Sequence, residues 1–140
     1  MDGKRIIGID YGSKRVGVAV SDPTGKLALP LTVLTSDAGL PNKVIELAGK
    51  YDSKVIVLGE SRDYSGKPNE IHEAASAFKS MLESKGFHVV FEPEFMTSIQ
   101  AERLQGKNSM TDASAAALIL QSYMDRASGA ESLERVGKTP

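Results

Sequence analysis

The sequence predicts an α/β fold: one five-stranded mixed sheet in the order β-β-β-α-β-α-β-α-α, with helices on both faces. Three observations carry this. The chain opens with apolar residues alternating around two tight turns, which implies a meander of three strands. The hydrophobic period then changes from that of a strand to that of a helix. From there apolar runs and amphipathic segments alternate as far as about residue 126.

Taken in order, Ile6, Ile7 and Ile9 form the first strand, and Asp10-Tyr11-Gly12-Ser13 is a turn in which Gly12 permits positive φ. Val16, Val18 and Val20 alternate with the small residues Gly17 and Ala19 in the second strand. Asp22-Pro23-Thr24-Gly25-Lys26 is a second turn, and Leu27 to Leu34 a third strand with Pro30 at an edge or bulge. Val44, Ile45, Leu47 and Ala48 give a helix from about Pro41 to Tyr51, with the proline in its first turn. Lys54 to Gly59 is too short and too apolar for anything but a buried, parallel strand. A polar loop, Glu60 to Pro68, leads into a helix from Asn69 to Lys85, whose Ile71, Ala75, Phe78 and Leu82 share one face before the stop at Gly86. Phe87 to Phe91 is the fifth strand. Thr97 to Leu104 forms a short helix, and the last helix runs from Thr111 or Asp112 to about Arg126. Residues 1–126 thus form one domain. Residues 127–140 have little apolar content and are expected to be a disordered tail. This element order is that of the ribonuclease H-like fold.

The totals narrow the class. A chain of 140 residues, 41% hydrophobic and 25% charged, has the make-up of an ordinary globular protein with a real core. The absence of cysteine removes disulfides and thiolate metal sites. No apolar run nears the ~20 residues that span a membrane, and Met1-Asp2-Gly3-Lys4-Arg5 leads straight into a strand without a signal peptide. A cytoplasmic protein is expected. A net charge of −1 does not announce a nucleic-acid binder, although a cluster of acidic site residues would mask local basic patches. Lys14, Arg15, Arg62, Lys67, Arg103 and Lys107 fall in loops or at element ends and are the candidate phosphate contacts. From the totals alone, ordinary solvated charges are the better reading of them.

The chemistry lies in carboxylates at element ends. Asp10 ends strand 1, Glu60 follows strand 4, Glu92 and Glu94 end strand 5, and Asp112 starts the last helix. If strands 1, 4 and 5 run parallel, their exits gather at the carboxyl edge where open α/β sheets bind ligands. By helical spacing Asp112 shares a face with Ala115, Ala116, Ile119 and Tyr123, an apolar face that must pack on the sheet. Its alternative role is that of a helix cap. Several carboxylates in one place need cations, and hard oxygen donors suit Mg²⁺ or Mn²⁺. Two such ions about 4 Å apart assist in-line phosphoryl displacement, so the set suggests metal-dependent phosphodiester hydrolysis. No serine, cysteine or histidine arrangement competes with it.

The stretch Gly8-Ile9-Asp10-Tyr11-Gly12-Ser13-Lys14-Arg15-Val16-Gly17-Val18-Ala19-Val20-Ser21-Asp22 closely resembles the opening motif of the YqgF/RuvX family, ribonuclease H-like proteins similar in fold to the RuvC Holliday junction resolvases. Val55 to Gly59, the loop with Gly66, and Thr111-Asp112-Ala113-Ser114-Ala115-Ala116-Ala117-Leu118-Ile119-Leu120 match it too, so the resemblance covers roughly residues 5–126. It implies a nuclease in 5′-end maturation of 16S rRNA; some members are described instead as resolvases of branched DNA. By motif match the family's acidic set falls on Asp10, Glu94 and Asp112. The middle element departs from the pattern. Pro93-Glu94-Phe95-Met96-Thr97-Ser98 keeps the glutamate and the hydroxyl pair but lacks the preceding Asp and the following Arg, whose part Arg103 or Arg62 would take. Gly59-Glu60-Ser61 replaces the family's Gly-Leu-Pro and puts a glutamate where RuvC carries one, so both Glu60 and Glu94 stand as ligand candidates.

Two other functions fit this fold. Sugar kinases and actin hold nucleotide phosphate with a similar first hairpin, but they need a second lobe that 140 residues cannot supply. A non-catalytic nucleic-acid-binding module would explain the altered middle motif, though not Asp10 and Asp112 together. A resolvase cutting two strands symmetrically would be a two-fold dimer, whereas a single-cut ribonuclease can be a monomer.

Overall fold

The computed structural model describes residues 5–12, 14–60, 70–93 and 109–138; at residues 60, 70–72, 93, 109–111 and 128–138 it describes the backbone alone. The strands are β1 (Ile6–Asp10), β2 (Arg15–Ser21), β3 (Ala28–Thr35), β4 (Val55–Glu60) and β5 (His88–Pro93). The helices are α1 (Leu40–Lys50), α2 (Glu70–Ser84) and α3 (Ser109–Lys138). The sheet order is β3-β2-β1-β4-β5. β1 pairs antiparallel with β2 and β2 with β3, while β4 runs parallel to both β1 and β5. This is the expected meander followed by parallel strands. The expected helix over Thr97 to Leu104, and Asn69, the expected start of the helix that runs to Lys85, lie outside the described residues.

Strand alternation divides the core into two layers. Ile7, Ile9, Val16, Val18, Ile56, Leu58 and Val89 point to one face, where Leu40 and Val44 of α1 and Ala75, Phe78 and Leu82 of α2 cover them. Ala19 and Val57 point to the other, packed against Ala116, Ile119, Leu120 and Met124 of α3. The small residues of β1 and β2 explain how closely α3 approaches. A Cβ on Gly8 would lie 2.7 Å from Leu120 Cβ, and one on Gly17 only 1.9 Å from the Asp112 carbonyl oxygen. Neither position has room for a side chain.

Pro30 sits in the edge strand β3 beside a register shift between Val18 and Ala19, so it is both at an edge and next to a bulge. Gly25 (φ 74°) and Gly86 (φ 98°) take the left-handed conformation that a turn and a helix stop require. Gly12 does not. The need for glycine there is steric, because a Cβ would meet the Arg15 carbonyl oxygen at 2.5 Å across the turn. The last helix differs more. It starts at Ser109 and continues to Lys138, twelve residues past Arg126. Ala127, Ala130, Glu131, Leu133, Glu134 and Arg135 are good helix formers, and local propensity suffices to extend a helix already nucleated by packing.

Candidate active site

The exits of the three parallel strands lie side by side. Ile9 pairs with Leu58, Gly59 with Glu92 and Glu60 with Pro93, so Asp10, Glu60 and the chain entering Glu94 leave the sheet at one edge. Asp10 follows Gly8 by two residues and therefore points to the α3 face. It is half-buried, and its Cα partner across the antiparallel pair is Gly17. The Asp112 backbone lies directly on that glycine. Gly17 thus sets the approach of the two aspartates: its missing side chain lets the first turn of α3 settle onto the strand opposite Asp10.

The turn that carries Asp10 is held from both sides. The Tyr11 ring packs on Phe78 of α2 with centroids 5.3 Å apart. On the other side the Ser36 N–H donates to the Lys14 carbonyl oxygen at 2.9 Å. Gln121 fixes α3 to the β2–β3 hairpin, accepting from the Ala28 N–H and donating to the Lys26 carbonyl, both at 2.9 Å.

Asp112 is the fourth residue of α3, inside its first turn. It is therefore not the N-cap, although a carboxylate there still gains from the positive end of the helix dipole. Its Oδ2 atom is shut off from solvent and has no hydrogen-bond partner. Arg15 Nε stands 2.9 Å from that oxygen, a charge contact without the alignment of a hydrogen bond. A buried carboxylate oxygen in this condition is costly to hold, and a hard cation would satisfy it. That oxygen, paired by charge but without a hydrogen bond, and the purely carboxylate chemistry of the pair fit a divalent ion held by Asp10 and Asp112. Among the described residues no group of three or more potential ligands is assembled. The further candidates are Glu60, described by its backbone only, and Glu94, which lies outside the described residues.

Of the basic candidates, Lys14 and Arg15 are exposed at the rim of the β1–β2 turn, and Arg15 is engaged by Asp112. Arg62, Lys67, Arg103 and Lys107 lie outside the described residues. The sequence reading gave Glu92 no role beyond its place at a strand end, and the structure supplies one. Its side chain is 1% exposed, accepts a 2.9 Å hydrogen bond from Ser122 Oγ, and is ion-paired through Oε1 with Arg126. The available signals were the shared parity of Val90 and Glu92 and the i, i+4 spacing of Ser122 and Arg126. Neither says that the two segments meet.

A five-stranded mixed sheet, with one helix laid across the carboxyl-edge aspartate and two helices behind, defines the ribonuclease H-like class to which RuvC resolvases belong. Solved structures bear this out at the level of fold. Thermus thermophilus RuvC in complex with Holliday junction substrate matches with a TM-score of 0.59 at 17% identity, covering 89% of this chain and 96% of that one. Fowlpox virus resolvase with Holliday junction DNA matches with a TM-score of 0.56 at 14% identity, covering 88% and 98%. Residues 4–126 match the family model RuvX, described as Holliday junction resolvase, and the chain belongs to that family. Its relatives include proteins named as candidate pre-16S rRNA nucleases. That of Ruminiclostridium cellulolyticum is 33% identical over 137 residues, covering 89% of this chain and 96% of the relative. That of Streptococcus uberis is 36% identical over 137 residues, covering 87% and 98%. No helix among the described residues is long and apolar enough to cross a membrane.

Proposed function

We propose that the protein is a divalent-metal-dependent nuclease that hydrolyses phosphodiester bonds in the 5′ leader of the 16S rRNA precursor, acting in the cytoplasm. The observation that carries the reading is the buried Asp112 Oδ2, which no hydrogen bond satisfies, on a residue whose backbone lies against Gly17, the strand-pair partner of Asp10. The names of the full-length relatives favour rRNA as the substrate.

Asp10 and Asp112 would hold Mg²⁺ or Mn²⁺, with Glu94 or Glu60 completing the set. When bound, such ions, two in number, neutralise the phosphoryl oxygens and supply hydroxide at neutral pH. The chain's own part is positioning. The Gly17 contact fixes the distance of α3 from β2, and Tyr11 and Ser36 fix the turn after Asp10. Lys14 and Arg15 line the rim where phosphates of a structured nucleic acid would pass.

The test is cleavage of a precursor rRNA 5′ leader and of a four-way DNA junction with Mg²⁺ or Mn²⁺, beside an Asp10→Asn control. Metal-dependent cutting of the RNA that the control lacks supports the reading. Cutting of the junction in preference would favour the resolvase reading, whose specific support is the family description and the Holliday junction complexes of the structural neighbours. That outcome calls for a two-fold dimer in solution. Binding of either substrate without cutting would make the protein a non-catalytic nucleic-acid-binding module.

A further inference from the structure

We propose that Arg15 is a built-in counter-ion for Asp112, surrendered when a divalent ion binds and then free to hold a nucleic-acid phosphate. The inference rests on the metal-site reading above and adds to it the regulation of that site.

Four features point to this hand-over. First, Arg15 is the one charge partner of Asp112 among the described residues, at 2.9 Å, in a contact that has distance but not hydrogen-bond alignment. Such a contact is held by charge alone and yields to a competing cation of higher charge. Second, the pair is asymmetric. The Arg15 side chain is 59% exposed and the Asp112 side chain 27%, so the guanidinium can move into solvent at little cost while the carboxylate cannot follow. Third, Arg15 precedes Gly17 by two residues on β2 and shares its face, which is also the face of Asp10 and of the first turn of α3. A released guanidinium stays tethered at the rim of the two aspartates. Fourth, the chemistry suits both halves of the exchange. The single positive charge of Arg15 balances the Asp112 carboxylate while no ion is bound, and a planar guanidinium is well shaped to grip a phosphate afterwards. Lys14 precedes β2, and no contact among the described residues places it beside Asp112 as the ion pair places Arg15, so the role falls to Arg15.

The test needs no turnover. Mn²⁺ binding to the full chain is measured by titration calorimetry, with circular dichroism to verify folding. Removing the competitor in Arg15→Gln should tighten Mn²⁺ binding by about two- to fivefold, the range that an exposed ion pair commands. Arg15→Lys, which keeps the charge, should stay near wild type. Unchanged or weaker binding by a folded Arg15→Gln overturns the proposal. On the unaltered chain, phenylglyoxal labelling of Arg15, read by peptide mass spectrometry, should rise on adding Mn²⁺. A flat or falling signal overturns the proposal even if Arg15→Gln does not fold. In Ca²⁺, the affinity for a labelled RNA hairpin should rise over that in EDTA for wild type and rise less for Arg15→Gln; an equal rise in both overturns the phosphate half. Asp112→Asn separates the two levels of inference. If it binds Mn²⁺ as wild type does, the metal site itself fails and the hand-over with it. If it loses Mn²⁺ binding while Arg15→Gln gains none, the hand-over alone fails.

Discussion

The ion pair between Glu92 and Arg126 makes a quantitative prediction. Glu92 is 1% exposed at the end of β5, and Arg126 reaches it from α3 with 61% of its own side chain in solvent. Removing one partner of a buried pair costs about 3–5 kcal/mol when both charges are buried. Here one partner is largely solvated, and Ser122 keeps its hydrogen bond to the carboxylate, which lowers the expected cost of Arg126→Ala to about 2–4 kcal/mol. For a chain of this size, roughly 3–4 °C per kcal/mol makes that a fall in melting temperature of about 6–16 °C. Glu92→Gln should cost less, because it removes the buried charge and releases Arg126 into water. The ordering is the sharper statement. The double variant Glu92→Gln/Arg126→Ala should be more stable than Arg126→Ala alone, because the loss in the single variant comes mainly from stranding a buried carboxylate. Thermal melts followed by circular dichroism measure all three. If Arg126→Ala melts within about 2 °C of wild type, or if the double variant is the least stable, then the carboxylate is not held by that arginine.

Further outcomes follow from the same contacts. Wild type should gain about 2.7 kcal/mol of stability at Mn²⁺ concentrations near 100 times Kd, and Asp10→Asn or Asp112→Asn should lose most of that gain together with cleavage; an Asp112→Asn variant that keeps both would remove Asp112 from the site. Gly17→Ala should destabilise by about 1–3 kcal/mol and abolish cleavage, since its Cβ meets backbone at 1.9 Å, while Gly8→Ala, which meets mainly a Leu side chain at 2.7 Å, should keep more of both; melting and activity measured together check this. Deleting residues 128–140, which retains Arg126, should leave the melting temperature nearly unchanged, and a drop of more than a few degrees would mean that the segment packs. The Asp22 carboxylate accepts from the Lys26 N–H, the Thr24 hydroxyl and the Leu27 N–H, which holds it below the usual carboxylate range. Its contribution to stability is therefore present at neutral pH and lost as pH falls through that lowered value, so the stability gap between wild type and Asp22→Asn should close only in acid.

Local patterns exposed most of the architecture because each element announces its own period. Val16, Val18 and Val20 alternate, Ile71 to Leu82 recur at helical spacing, and Asp22 to Lys26 is turn chemistry in its own right. The two aspartates of the candidate site were legible for a related reason, since each sits near an element end that the pattern locates. What local patterns could not carry was any contact set by how the pieces pack. Glu92 reads as an end-of-strand polar residue until α3 crosses β5 and closes over it. Gly12 reads as a conformational glycine until the turn brings the Arg15 carbonyl within 2.5 Å of the missing Cβ. Arg15 reads as a solvated charge until Asp112 is laid beside it. All three depend on where the backbone lies to within an ångström or two, a quantity that hydrophobic period does not encode.

The placement of Asp112 has the same origin. α3 rests in the notch cut by Gly8 and Gly17, is tied to the β2–β3 hairpin by Gln121, and is anchored to β5 by Ser122 and Arg126. These contacts grip one rigid helix on both sides, while its first turn carries the aspartate. Loosening the Glu92 anchor, some four turns from Asp112, should therefore weaken Mn²⁺ binding at the other end of the helix. If Glu92→Gln left Mn²⁺ affinity at the wild-type value while lowering the melting temperature, then α3 would be positioned by its glycine notch alone and the β5 anchor would serve stability only.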